Sequence, residues 1–559
     1  MIDAKIVSSL EKIFLDDKLE RFEQTERLTA LRGERVSVQL VHVFVPDAET
    51  VSAATKTAAL TLGGSLAPYA DARQVMQVAA TKVTNEKKPL DDNYLRTTPG
   101  LYPDLLAPLY YNGRVVGDEG CPQATWIEID LPETIEAGEY TLTCRLDSER
   151  FGAWEGTFTL DVIDAVLPKE DIYLTQWFHA DCLANYYQVE PWSERHWEIV
   201  EDFARVARRG GINLLLTPVF TPPLDTAVGG ERLTTQLVGV TRTNGVYAFD
   251  FSLLDRWIEM CDRVGIEYLE ISHFFTQWGA QHAPKVMATV DGEYKKLFGW
   301  ETEATGAEYT EFLQTFLSAF LDHMKARGDD RRCFFHISDE PKGEHLEYYR
   351  AAKAIVAELL EGYPIMDALS DFGFYGERVV SNPIPSTDHI APFLEANVPH
   401  LWTYYCVGQA YLVSNRYLAM PAWRNRCIGM QLYKYRIEGF LQWGYNFYNN
   451  RHSGDAINPY CDASGGFWVP AGDMFSVYPA QDGTAMESTR FVVFYEALQD
   501  IKAMKLCEQY YGHDAVVAAI EEEFGQNITF ETCTKSAEVT LRIRARINQM
   551  IRTAINGNI

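Results

Sequence analysis

Cys333-Phe-Phe-His-Ile-Ser-Asp-Glu-Pro341 is an apolar run that ends in two adjacent carboxylates and a proline. The apolar start reads as a strand buried on both faces, and the charged end belongs where such a strand meets solvent. Seven further short apolar runs flank it, at 173–178, 213–220, 268–275, 363–370, 379–384, 400–406 and 439–447. Helical patterns separate them at 193–209, 251–264, 310–326, 344–360 and 418–436, with Ser193 and Asp250 as start signals. Strand runs that alternate with helices imply parallel strands, and eight of them in this even spacing match a (β/α)8 TIM-like barrel. A doubly wound sheet is the alternative.

Working outward, the stretch before residue 168 has a different rhythm. Arg35-Val-Ser-Val-Gln-Leu-Val-His-Val, Trp126-Ile-Glu-Ile-Asp-Leu, Tyr140-Thr-Leu-Thr-Cys-Arg-Leu and Thr157-Phe-Thr-Leu-Asp-Val-Ile alternate apolar and polar residues. Short alternating strands with turn signals such as Ala137-Gly138 predict a β-sandwich. Residues 2–23 read as a helix packed on it. After residue 488 the pattern is helical again, at 490–507 and 536–555, as expected of an appendage packed on the barrel. The expected fold class is thus multidomain α and β: a sandwich with an N-terminal helix over 1–167, a (β/α)8 barrel over 168–487 and a C-terminal helical segment over 488–559.

The 559 residues carry 78 Asp and Glu against 50 Lys and Arg, a formal charge of -28. Such a surface repels nucleic acid and anionic lipid, so neither is an expected partner. No run approaches the ~18 apolar residues of a membrane span. The first residues, MIDAKIVSSLEKIFLDD, lack a basic stretch followed by an apolar one, and the ten cysteines include no CxxC pair. Together these features predict a cytoplasmic protein with reduced cysteines. No GxGxxG follows a strand and no GxxxxGK[ST] loop occurs, so no nucleotide cofactor is expected. His179/Asp181, His273/His282 and His336/Asp339 form no HExxH or ligand triad, so no metal is expected either.

In a barrel the site forms at the C-terminal ends of the strands. Those ends carry His179 and Asp181, Asp225, His273 and Trp278, Asp339 and Glu340, Trp402 and Tyr404, and Trp443 with Asn446. Aromatic rings stack on the apolar faces of sugars while polar groups hold the hydroxyls, which makes an oligosaccharide or glycoside the expected substrate. The polar loop 449–459 is expected to cross the substrate toward Trp468. Burial and like charge should push the Asp339 and Glu340 carboxyls apart in acidity, the arrangement glycoside hydrolysis requires. No second carboxylate ends the seventh or eighth run, which favours a substrate-assisted route. In that route the 2-acetamido oxygen of the sugar attacks the anomeric carbon, with Asp339 on the amide N–H and Glu340 as general acid and base. A conventional two-carboxylate glycosidase with Asp181, Asp225 or Asp367 as partner, and a non-catalytic sugar-binding protein, are the alternatives.

From about residue 102 to 500 the chain resembles glycoside hydrolase family 123 and the wider group of DUF4091-domain proteins. The resemblance lies in Tyr102-Pro-Asp-Leu-Leu, Ser338-Asp-Glu-Pro341, Gly439-Phe-Leu-Gln-Trp-Gly-Tyr-Asn446, Trp468-Val-Pro-Ala-Gly-Asp473, Val477-Tyr-Pro479, Ser488-Thr-Arg490 and Glu496-Ala-Leu-Gln-Asp500. It implies a sandwich followed by a barrel and an exo-acting β-N-acetylgalactosaminidase that works by substrate assistance. It places the family's Asp-Glu pair on Asp339 and Glu340, and its sugar-binding positions on Trp402, Tyr404, Trp443, Asn446 and Asp473.

Overall fold

Period-two alternation in the first third of the chain does build two five-stranded sheets, seen in a computed structural model that describes residues 1–45, 56–169 and 171–557. One sheet runs Ile2–Ser8, Arg35–Phe44, Gln123–Asp130, Ala70–Ala80, Gly100–Pro108. The other runs Arg27–Arg32, Gly152–Val166, Gly138–Ser148, Lys56–Gly63, Arg114–Gly117. Inward residues such as Ile6, Leu40 and Ile127 meet Leu142, Phe158 and Leu160 in one apolar cluster, as facing sheets require.

The expected helix over 2–23 is not formed. Ile2–Ser8 is a strand paired antiparallel with Arg35–Phe44, from Ile2 opposite Phe44 to Ser8 opposite Val38. Ile2, Ala4 and Ile6 are buried while Asp3 is exposed, a period of two that outweighs the helix-forming residues further on. Only a three-residue 3-10 turn, Leu19–Arg21, follows.

All eight runs after residue 168 contain parallel strands, shorter than the runs themselves. They are β1 (Tyr173–Gln176), β2 (Leu214–Thr217), β3 (Tyr268–Ile271), β4 (Cys333–Phe335), β5 (Met366–Ala368), β6 (Asn382–Ile384), β7 (Trp402–Tyr404) and β8 (Gly439–Gln442). Continuous ladders join β2-β3-β4, β7-β8-β1 and β5-β6. Single parallel bridges, Phe335 with Ile365 and Ser386 with Tyr404, join these groups. Helices lie between the strands as expected. Ser193 caps Glu194–Arg209 by accepting from the His196 N–H, and Asp250 accepts from the Ser252 N–H at 2.9 Å beside Ser252–Val264. The expected helix over 418–436 is instead two short ones, Ala422–Arg426 and Ile428–Lys434, beginning after Pro421. A proline disfavours helix at the residue before it and suits a helix start.

A four-stranded sheet of two hairpins, Gly239–Thr243 with Val246–Asp250 and Val286–Val290 with Glu293–Phe298, grows from the connections after β2 and β3. Nothing in the alternating pattern announced it. The C-terminal helices form where expected, at Thr489–Tyr511 and Ala537–Ile555, but the first is less peripheral than expected. Thr489–Tyr511 is buried along most of its length, so it is a structural centre and not an appendage. Arg490 on this helix makes two 2.8 Å bonds to Asp104 of the sandwich, and Ser9 reaches Glu496 at 3.3 Å. No helix among the described residues is long and apolar enough to cross a membrane.

Candidate active site

The end of β4 is clamped from both sides. On one side Phe275 N–H donates to Ile337 O and Trp278 N–H to Asp339 O at 2.8 Å, while Ser338 Oγ donates to Thr276 O. On the other, Ile337 N–H donates to the Asp367 carboxylate at 2.9 Å and Glu340 N–H to Ala368 O. These bonds carry the chain through a turn that Glu340 makes at φ 43°, a left-handed conformation that side chains with a Cβ rarely adopt. Asp225 (φ 40°) and Trp278 (φ 60°) share that conformation. Three such residues around one cavity are strain held in place by its surroundings, at about 1–3 kcal/mol each.

The cavity, ≈ 180 Å³, lies over this turn. Asp339 and Glu340 line it, and the Tyr404 hydroxyl donates to Glu340 Oε1 at 2.6 Å. Burial, and then the neighbouring charge of Glu340, hold the Asp339 carboxyl well above the usual carboxylate range. One wall is aromatic: Trp443, Phe447 and Trp468 meet in tilted and edge contacts 5.1–6.2 Å apart. Trp278, 37% exposed, and Asp225 line its rim as well. Asp225 accepts from the His452 N–H at 3.0 Å, and Ser453 Oγ donates to its carbonyl at 2.8 Å, so loop 449–455 is tied to the rim. Burial pushes the Asp225 carboxyl up to about 6.

Of the sequence-predicted residues, His179, Asp225, Trp278, Asp339, Glu340, Tyr404, Trp443 and Trp468 line the cavity. Five do not. Asp181 is buried in a two-bond ion pair with Arg232, at 2.7 and 2.8 Å. Arg232 also donates to His179 Nδ1 at 3.1 Å, which leaves His179 Nε2–H to donate to Trp443 O at 2.9 Å. Burial and the charge of Arg232 push that imidazole down to about 3, so it is neutral. Asn446 bridges the His179 backbone from behind, accepting from its N–H at 2.8 Å. Asp473 is fully buried and accepts from Trp443 Nε1 at 3.0 Å; burial raises its carboxyl to about 7. Trp402 begins β7 and so sits at the opposite end of the strands, stacked on Tyr173 at 5.3 Å. His273 is buried and stacks on His336.

Sequence reasoning passed over Gln277, whose side chain accepts from the Asp225 N–H, and Trp177, whose Nε1–H donates to Glu270 at 2.8 Å. Both stand at strand ends, so position was the signal that could have found them. Among the described residues, His273, His336 and Asp367 form one trio whose ligand-type atoms lie within 4.8 Å of one another. The two rings stack nearly parallel at 4.4 Å, so their in-plane nitrogen lone pairs run side by side and do not converge on one point. That geometry suits a charged ring beside a neutral one better than a metal.

The sequence profile described as "Glycoside hydrolase 123, catalytic domain" matches residues 177–507, more than half of the chain. The chain belongs to glycoside hydrolase family 123. Its activity is therefore hydrolysis of a glycosidic bond, and the family match starts one residue after β1 and ends inside the buried helix. A family 123 glycoside hydrolase from Clostridium perfringens, whose structure was analysed for the details of glycolipid glycan hydrolysis, has a similar fold. It superposes with a TM-score of 0.74 at 15% identity over 100% of this chain and 98% of that chain, so the likeness extends to the sandwich. A family 39 glycoside hydrolase from the gut symbiont Bacteroides cellulosilyticus WH2 aligns at a TM-score of 0.34 and 9% identity, over 86% of this chain and 82% of that chain. No curated protein matches the sequence.

Proposed function

We propose that this family 123 enzyme removes a terminal β-linked 2-acetamido sugar, of the N-acetylgalactosamine type, by substrate assistance. Residues 168–487 are taken as the catalytic unit, with β1 to β8 as its (β/α)8 barrel. The observation that carries the reading is the set of carboxylates at the cavity. Asp339 and Glu340 are adjacent on one turn, Asp181 is tied up by Arg232, and Asp367 accepts from the Ile337 N–H and the Tyr349 hydroxyl. In the first step the acetamido oxygen bonds to the anomeric carbon as the glycosidic C–O bond breaks. Glu340 gives its proton to the leaving oxygen, and Asp339 accepts the amide N–H of the oxazolinium ion that forms. Water then attacks the anomeric carbon, returns its proton to Glu340 and restores the acetamide with retention. A small cavity with an aromatic wall suits one terminal ring, and the Clostridium perfringens enzyme's glycolipid glycans are a substrate class to include.

One observation supports a second reading. Asp225 faces the same cavity with its carboxyl raised to about 6, and could partner Glu340 on a sugar without an acetamido group. Purified enzyme tested on aryl glycosides of GalNAc, GlcNAc, galactose and glucose, beside Glu340→Gln, separates the two. Cleavage confined to the 2-acetamido sugars and lost in Glu340→Gln is the expected result. Cleavage of galactosides or glucosides at comparable rates would transfer the second carboxylate role to Asp225.

A further inference from the structure

We propose that His336 is a buried imidazolium that acts as a positioning residue, favouring the anionic form of Asp339 against its burial and the charge of Glu340. The inference rests on Asp339 as the acetamido-stabilising carboxylate. His336 is 2% exposed and sits three residues before Asp339 on the same strand end. Its Nε2 lies 2.7 Å from Glu270 Oε1, and its Nδ1 lies 3.4 Å from Asp367 Oδ1. Both carboxylates are fully buried and already loaded with donors. Glu270 accepts from Trp177 Nε1 at 2.8 Å and from the Thr175 hydroxyl, while Asp367 accepts from the Ile337 N–H and the Tyr349 hydroxyl. A carboxyl group in such company serves as a hydrogen-bond acceptor. An imidazole bonded through Nε2 to one carboxylate, with its otherwise unpartnered Nδ1 facing a second, is at lowest energy with a proton on each nitrogen.

The neighbouring ring supports the assignment. His273, 1% exposed and stacked on His336 at 4.4 Å, has no hydrogen-bond partner for either nitrogen. Burial and the charge of His336 hold it well below the usual histidine range, so of the stacked pair one ring is charged and the other is neutral. Despite the cost of burying a cation, the two carboxylates raise His336 to about 9. Lys353, on the helix Leu346–Val356 with Tyr349, senses the charge of Asp367 from the far side but bonds to Val379 O. Around Asp339, burial first and then the charges of Glu340, Asp367 and Asp225 raise its carboxyl, and His336 is the cation that opposes them. An oxazolinium ion needs an anion beside its N–H, and a protonated Asp339 would leave it without one.

The test is a pH profile read beside a direct view of the ring. In enzyme labelled with 15N-histidine, His336, assigned by its absence in His336→Gln, should carry protons on both ring nitrogens at pH 8. In His336→Gln, kcat/KM on an aryl 2-acetamido glycoside should lose its acidic limb at a pH higher by about one unit or more, because the cation that lowers Asp339 is gone. KM should change little. Glu270→Gln should move the limb the same way, and it carries the kinetic arm if His336→Gln does not fold. A neutral His336 at pH 8 overturns the proposal whichever sugar is cleaved. A doubly protonated His336 with an unmoved limb overturns its role toward Asp339. Failure of the acetamido reading would show separately, in the sugar screen.

Discussion

Asp339 is placed where a carboxylate is unwelcome: buried, beside another carboxyl group, and on a turn that bends Glu340 into left-handed backbone. Function and stability pull in opposite directions at such a residue. Asp339→Asn should reduce kcat about 10²–10³-fold, the loss typical of a removed electrostatic stabiliser. It should also leave Tm unchanged or higher, which kinetics and a thermal melt of the same preparation would show. Tyr404→Phe deletes the 2.6 Å donor to Glu340. A hydrogen bond to a carboxylate contributes about 1.5–3 kcal/mol, so kcat should fall at least ~10-fold with the fold intact. The location of the Asp-Glu pair was legible because an apolar strand ending in two acids allows one placement. The distinction between Trp443 at the wall and Trp402 at the far end was not. It turns on where in a short strand a residue falls, and β7 spans only Trp402–Tyr404.

Elements were legible where periodicity was strong. All eight apolar runs hold strands, because burial on both faces leaves an uninterrupted apolar signature. Residues 2–23 misled because a seven-residue strand sits against acidic and basic residues that favour helices. The two hairpins after β2 and β3 were invisible because they are half exposed and lack an apolar run. A further element matters to the site: the connection after the strand Ala70–Ala80. Lys82 Nζ donates to Trp468 O at 3.1 Å, and Asn85 Nδ2 donates to Val407 O at 2.7 Å, so the sandwich props two walls of the cavity. Lys82→Met should raise KM several-fold with kcat nearly constant, measured on the best aryl glycoside, and Lys82→Arg should recover most of the loss.

At the scale of the whole chain, the sandwich and the strand–helix unit are joined through buried charge. Asp104 and Arg490 are respectively 0% and 3% exposed, and Arg490 also donates to the carbonyls of Gly472 and Phe475. Removing one member of a buried pair strands the other, at about 3–5 kcal/mol. Arg490→Met should therefore lower stability by that order in urea melts, far more than any exposed Arg substitution. For the same reason a fragment confined to residues 177–507 should be insoluble, although it spans the family match. This coupling was hidden in the sequence because an arginine in a helix reads as solvated until its partner, 386 residues away, is known.

The props from the sandwich also set an order of events in time. Asn85 and Lys82 meet their partners across 322 and 386 residues of chain, long loops for the fold to close. Contacts of that separation form late, after local strands and helices have condensed. A refolding chain should thus regain its circular dichroism first and its hydrolytic activity last, in step with the slowest tryptophan fluorescence phase. A newly made chain would then be a folded scaffold for some time before it becomes an enzyme.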